Sequence, residues 1–412
     1  MILAKLVVAA ALAGQGLSAP DSASVVSAGY SLGDTAFQVP GFHNSDGTAL
    51  ADIELTASVQ YPSNIRQGVH PLVVFLHGQW ETCADRQAGN EYMAALPVLS
   101  GPGASKDPAV RAQAEATIQR TAALLTQWPC APGTPPMPSY RGFDYVGKEL
   151  ARHGYVVVSV SANGVNAGEG GQAADMARAA LINKHLAMWQ ELSAKGTGPL
   201  AGKLSKDFRG HVDLNNVGTV GHSRGGRAVV YQAADVHRGQ WPAGVTVKAV
   251  VPLAAAGYYA PDPEAPENDD YRITKIPFEL LMGGCDPVTN PAAHDYFTNA
   301  AGRNEKRISQ VLMHGANHNF LNVQWSPSSG QVVAHDDVER AAQLGQRARP
   351  QPGHCANTDT NADEKQLTEP QERATATTYL AAFLRRYLGG ETAFDPLLTG
   401  QLHLPGVDVL TR

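Results

Sequence analysis

Beyond its first few residues, no stretch of this 412-residue chain approaches the ~20 consecutive apolar residues of a membrane-spanning helix. A membrane span is therefore not expected. A basic excess is also missing. The 32 Lys and Arg face 38 Asp and Glu, for a formal net charge of −6 with no basic run, which argues against nucleic acid as a partner. Charged residues make up only 17% and apolar residues 43%, which excludes a disordered chain. There is no Cys-x-x-Cys pair, no His-Glu-x-x-His helix and no phosphate-binding glycine loop, so neither a metal nor any other cofactor is expected. No internal repeat occurs.

What is present begins with an export signal. Lys5 precedes the apolar, Ala-rich run from Leu6 to Gly14, and small residues follow at Ser18-Ala19 and Ser27-Ala28. Proline directly after a cut is unfavourable and Pro20 follows Ala19, so the boundary is expected after Ala28. Residues 1–28 then form a signal peptide and 29–412 a single exported domain, extracellular or periplasmic. The four cysteines, Cys83, Cys130, Cys285 and Cys355, are an even number in an exported chain and suggest two disulfides. Three pairings are possible. Proximity in sequence favours Cys83 with Cys130 and Cys285 with Cys355, each tying off one long insertion.

The rest of the chain alternates apolar strands with helical stretches. Ile53 to Tyr61 alternates apolar and polar residues, as a half-exposed antiparallel strand does. Pro71 to Leu76, Tyr155 to Val160, Val217 to Val220, Val247 to Leu253 and Ile276 to Met282 are apolar runs typical of buried parallel strands. Ser309 to Met313 is expected as a short last strand. Helices are expected over Tyr145 to His153, Ala173 to Leu192, Arg224 to His237, Pro291 to Ala301 and Pro370 to Tyr387. This order predicts an α/β fold with a mostly parallel, doubly wound sheet and helices on both faces. Three long insertions interrupt it, at about 81–140 (with a helix over Pro108 to Gln127), 258–270 and 322–369, and they are expected to act as lids or binding loops.

The chemistry centres on Gly221-His222-Ser223-Arg224-Gly225-Gly226, which follows an apolar strand and opens a helix. In that setting a G-x-S-x-G run holds its serine in a tight turn above the sheet edge, so Ser223 is the expected nucleophile. A serine hydroxyl needs a base held by a third group, and the chain order for such a turn is serine, acid, histidine. Asp286, in the turn after Ile276 to Met282, is the expected acid, although the same residue type also suits a helix N-cap. Asp262, Asp269 and Asp270 are weaker rivals in an acidic loop. His318, in Gly315-Ala316-Asn317-His318, is the expected base, while His314 ends its strand and suits packing. An oxyanion hole is expected from the backbone N–H groups of Arg224 and of Gln79, the latter in His77-Gly78-Gln79-Trp80, with Trp80 in reserve. Trp80, Tyr258, Tyr259, Phe320 and Trp325 are candidates for an acyl pocket, with core packing the plainer role for each.

In order, the HGQW, GHSRGG, GCDP and GANHNF segments resemble those of the secreted α/β-hydrolases. In particular they are similar to the broad chlorophyllase, platelet-activating-factor acetylhydrolase and polyester-hydrolase-like assemblage. The resemblance covers roughly Ile53 to Phe320 and the C-terminal helix, but not the insertions. It implies an α/β-hydrolase fold and hydrolysis of a small-molecule or lipid-like carboxylic ester through an acyl-enzyme. The insertion at 81–140 is a departure, because polyester hydrolases are compact and lidless. A serine peptidase or amidase with the same triad, and a non-catalytic binding protein on this scaffold, are the alternatives.

Overall fold

The computed structural model of the protein describes residues 24–43, 47–99, 103–168, 171–258, 267–335, 337 and 353–412. Its strands are β1 (Val25–Ser31), β2 (Thr56–Pro62), β3 (His70–Leu76), β4 (Val156–Val160), β5 (Val212–His222), β6 (Val247–Leu253), β7 (Phe278–Gly283), β8 (Ile308–Met313), β9 (His354–Ala356), β10 (Asp363–Lys365) and β11 (Val407–Thr411). Its helices are α1 (Arg86–Leu99), α2 (Pro108–Thr126), α3 (Asp144–Arg152), α4 (Asn163–Ala167), α5 (Gly171–Lys195), α6 (Arg224–Ala233), α7 (Asn290–Ala300), α8 (Glu369–Leu388) and α9 (Asp395–Leu398).

Nine strands form one mixed sheet in the order β1-β2-β4-β3-β5-β6-β7-β8-β11, and β9 and β10 form a separate two-stranded ribbon. The six strands from β4 to β8 run parallel. The flanking strands β1, β2 and β11 pair antiparallel. The protein is thus α/β with a mostly parallel sheet. In β3, Leu72, Val74 and Leu76 enter one core with α5, α6 and α7. Val73 and Phe75 enter a second core with α3 and α8. Side chains alternate across a strand, so a strand covered on both faces is apolar along nearly its whole length, as Leu72 to Leu76 are.

Several expectations change. The strand at Ser309 to Met313 is not the last, because β11 pairs with β8 from the C-terminus. The alternation in β2 does not mark exposure, since all but its first residue are buried. Its polar face meets Asp144 of α3 instead: Ser58 Oγ and Gln60 Nε2 donate to Asp144 Oδ1 at 2.8 and 2.9 Å. The signal boundary after Ala28 falls inside β1, where Val25 to Ala28 pair with Pro62 to Val59. Residues 1–23 lie outside the described residues.

The 81–140 insertion holds two helices where one was expected. At α2, the Asp107 carboxylate accepts from the Ala109 N–H and Pro108 opens the helix, the usual chemistry of a helix start. At α1, Asp85 does the same, its carboxylate accepting from the Ala88 N–H at 3.0 Å. Cys83 is bonded to Cys130 at the root of this hairpin, and Cys285 to Cys355 beside the ribbon. Among the described residues, no helix is long and apolar enough to cross a membrane.

Candidate active site

β5 delivers Ser223 into a turn that side chains rarely tolerate. Its φ of 57° and ψ of −124° place it outside the ordinary allowed regions. Such strain persists only where the surroundings enforce it. Here the neighbours do. A Cβ on Gly221 would lie 2.0 Å from the Gly225 carbonyl oxygen, and one on Gly225 would lie 2.4 Å from the Leu76 oxygen. The Ser223 N–H donates to the Leu253 oxygen at 3.0 Å, and its own carbonyl accepts from Ala256 and Arg227 at 3.0 and 3.2 Å. The turn is therefore clamped between β6 and α6. Ser223 is 5% exposed, so whatever reaches it must enter a narrow opening.

Asp286 and His318 come from the turns after β7 and β8, on the same edge of the sheet. Two backbone bonds stitch these turns together: Gly284 N–H to the Met313 oxygen at 2.8 Å, and Cys285 N–H to the Ala316 oxygen at 2.9 Å. His318 Nδ1 lies 2.9 Å from Asp286 Oδ2, with His318 1% and Asp286 0% exposed. The remaining acceptor capacity of the carboxylate is also used. Oδ1 takes the N–H groups of Val288 and Thr289 at 2.9 and 3.0 Å, and Oδ2 takes the Thr289 hydroxyl at 2.5 Å. Asp286 therefore closes the turn that leads into α7, whose N-cap is Thr289, and faces the imidazole at the same time.

The His318 loop is held from three sides. His222, which neighbours Ser223, has its Nε2 3.0 Å from the His318 carbonyl, and the two rings lie 4.7 Å apart. Burial, helped by the neighbouring His318, holds the His222 imidazole well below its ordinary value, so it is a neutral ring donating through Nε2. Asp337 accepts from the His318 N–H at 3.2 Å and from Asn319 Nδ2 at 3.0 Å. Glu372 of α8 accepts from the Asn317 N–H at 2.9 Å. Burial raises the Glu372 carboxyl well above the usual range, and the nearby Asp337 and Asp286 add to this.

The turn after β3 lies directly across the serine. A Cβ on Gly78 would stand 2.4 Å from Ser223 Cβ and 3.0 Å from its Oγ, so only glycine fits. His77 Nε2 accepts from the Ala162 N–H at 2.9 Å, which leaves Nδ1 to donate to the Gly78 oxygen at 2.9 Å. Burial brings the His77 imidazole down to about 4, consistent with this neutral tautomer. Asn166 Nδ2 donates to the Gly78 and Trp80 oxygens at 3.1 and 3.2 Å. In a trans peptide the N–H opposes the preceding C=O, so the Gln79 N–H points away from Asn166. It has no hydrogen-bond partner among the described residues. Arg224, the second expected donor, opens α6 directly after Ser223.

The other expected residues are distributed as follows. His314 bonds Glu364 and Asp408, each at 2.9 Å, away from the site. Asp270 pairs with His237 and Gln172, and Asp269 with Arg272, so neither reaches His318. Asp262 and Tyr259 lie outside the described residues. Tyr258 is a core residue, packed against Tyr271 and Tyr296. Phe320 is half-buried, and its carbonyl accepts from Arg373. Trp80 and Trp325 do approach the site. Rings follow one another from His318 through His222 and Trp325 to Trp80, then to His335 and Tyr92 of α1. The first and third insertions meet there, where Ala88 and Leu125 pack on Val332. Among the described residues, no group of three His, Cys, Asp or Glu side chains is arranged to hold a metal ion.

Sequence reasoning missed His222, Asp337, Glu372 and Asn166 as supports of the site. Only His222 carried a signal, by its place inside the serine motif. No protein-family model matches the chain, and no curated protein matches it.

Proposed function

We propose that this protein is a serine hydrolase of the α/β-hydrolase fold that cleaves carboxylic esters through an acyl-enzyme. The observation that carries the reading is the convergence on one sheet edge of a strained serine at a strand-to-helix turn and a buried Asp286–His318 couple. The chain order of serine, acid and histidine is the one this fold uses. The strained turn also supports it, because strain at one non-glycine residue of a packed sheet edge is what a nucleophile elbow requires.

In this reading Ser223 Oγ attacks the ester carbonyl and passes its proton to His318 Nε2. Asp286 holds the ring with Nδ1 protonated and stabilises the imidazolium. The oxygen that becomes negative takes hydrogen bonds from the backbone N–H groups of Gln79 and Arg224, and the start of α6 adds its positive dipole end. Collapse expels the alcohol, protonated by His318, and leaves an ester on Ser223. Water, deprotonated by the same ring, then releases the acid. The low exposure of Ser223 favours a small-molecule or lipid-like ester over a flat polymer surface. Two disulfides and the apolar N-terminal run support export as the setting.

The test is labelling by a fluorophosphonate probe together with turnover of p-nitrophenyl esters of increasing chain length beside aminoacyl anilides. Ser223-dependent labelling and ester turnover are expected. Absence of both in the wild-type protein overturns the reading, and faster anilide turnover moves it to a peptidase.

A further inference from the structure

Asn166 sits at the end of α4, 4% exposed, in an arrangement that capping and packing do not require. Its Nδ2 bonds two carbonyls of the loop that faces Ser223, those of Gly78 and Trp80. Its Oδ1 accepts from Arg178 Nη2 at 2.7 Å, and its main-chain oxygen accepts from Gln79 Nε2 at 3.1 Å. The same Arg178 Nη2 lies 3.1 Å from Gln79 Oε1, so the Gln79 side chain is held at both of its polar atoms. Arg178 is fully buried on α5. One turn earlier on that helix, Asp175 accepts from Arg227 Nε at 2.7 Å, and Arg227 belongs to α6, which begins directly after Ser223. Glu54 in turn fixes the start of α4, accepting from the Asn163 and Gly164 N–H groups at 2.6 and 2.9 Å. A buried polar chain thus runs from the helix of the nucleophile, through α5 and α4, to the loop opposite it.

We propose that Asn166 and Arg178 are positioning residues for the oxyanion hole: they fix the Gly78–Gln79 peptide so that the Gln79 N–H faces the oxygen on which charge develops. This rests on the serine-hydrolase reading above. Neither residue touches substrate. A donor that must already point at the developing charge gains most from a rigid support, because reorganisation at the moment of reaction weakens it. An amide is the one side chain that bonds two carbonyls with its nitrogen and a guanidinium with its oxygen.

The experiment measures p-nitrophenyl acetate turnover and inhibition by a trifluoromethyl ketone, whose carbonyl carbon bonds Ser223 Oγ while its oxygen becomes the bound anion. Asn166→Asp puts an oxygen against both carbonyls. We expect kcat to fall about 100-fold with KM within about twofold, and the ketone to weaken by the factor seen in kcat. Arg178→Lys, which keeps the charge but not the fork, should fall between wild type and Asn166→Asp. A folded Asn166→Asp protein with wild-type kcat overturns the proposal, as does a loss confined to KM. If Asn166→Asp does not fold, Gln79→Ala decides. Gln79 is partly exposed and its backbone donor is retained, so its kcat should fall about tenfold, and an unchanged kcat overturns the proposal. Wild-type protein without Ser223-dependent turnover instead sinks the parent reading.

Discussion

Asp286→Asn separates the charge and tautomer role of this residue from its structural role, because the site accommodates the amide almost without loss. The amide oxygen retains the bonds from Val288 and Thr289 N–H that Oδ1 makes now. The amide nitrogen then stands where Oδ2 was, 2.9 Å from His318 Nδ1 and 2.5 Å from the Thr289 hydroxyl. The hydroxyl can turn round and accept. The imidazole can also accept, but only with its proton moved from Nδ1 to Nε2, and a ring protonated at Nε2 cannot take the proton of Ser223. All four hydrogen bonds survive, so stability should change by about 1 kcal/mol or less. The tautomer is inverted, and the same change in a serine protease triad lowers kcat about 10⁴-fold, or about 5 kcal/mol of barrier. The assay is steady-state p-nitrophenyl acetate hydrolysis beside a denaturant melt. A folded variant retaining more than about a tenth of wild-type kcat would refute the assignment of Asp286 as the acid.

Gly78→Ala places a methyl 2.4 Å from Ser223 Cβ, so turnover should fall at least about 100-fold in a folded protein; near-normal kcat would mean this loop does not face the nucleophile. Removing the Cys285–Cys355 bond opens a 70-residue loop, worth up to about 4 kcal/mol by the chain-entropy argument, and frees the turn carrying Asp286. Paired alanine replacement there should lower both melting temperature and kcat, and equal kcat losses on removing Cys83–Cys130 would refute the link to Asp286. Glu279 is buried in β7, its Oε1 has no hydrogen-bond partner among the described residues, and burial pushes its carboxyl up to about 8 from 4.5. The folded chain keeps this proton while the unfolded chain releases it, so stability falls as pH rises from about 4.5 to about 8, by up to about 5 kcal/mol. Glu279→Gln should therefore stabilise at pH 8.5 and matter little at pH 4.5; parallel denaturation curves at the two pH values would overturn this. If the chain is exported, its mature form should begin before Val25, because cleavage after Ala28 removes four of the seven β1 pairs, and intact-mass measurement checks it.

The sequence was most informative where one physical cause dominates. Burial on both faces leaves β3 apolar from Leu72 to Leu76, β4 apolar but for Ser159 and β6 apolar but for the exposed Lys248, and a strained serine turn leaves glycines at Gly221 and Gly225 that no other residue can replace. Asp286 and His318 were singled out by chain order together with their places in the turns after apolar strands, and their side chains lie 2.9 Å apart. Where two causes compete, the reading failed. The polar positions of β2 resemble a solvent face but answer Asp144 across a helix contact. β11 and β1 are edge strands with half-exposed sides, so neither shows the apolar run that marks a central strand. The Ala-rich α1 has its cap at Asp85 but lacks a clear apolar stripe.

The supports of the site were illegible for a deeper reason. Asn166, Arg178, Asp337 and Glu372 are scattered over more than two hundred residues, and each is an ordinary polar residue in its own segment. Their meaning lies in what they hold once folded: a carbonyl pair, an imidazole loop, a main-chain N–H. A motif announces the atoms that react because those atoms constrain their neighbours in sequence, as Ser223 constrains Gly221 and Gly225. A positioning residue constrains its neighbours in space, and here the chain leaves it free in sequence. The buried Asp175–Arg227 pair illustrates the consequence. Such a pair adds little net stability to a fold and costs several kcal/mol when only one partner is removed. It lies between the helix after Ser223 and the helix bearing Arg178, and on the positioning proposal above it holds those two helices in register. Replacing both partners with apolar residues of similar size, together with Tyr271→Phe to remove the hydroxyl that Asp175 accepts, should then lower kcat, whereas a purely structural pair would leave kcat unchanged.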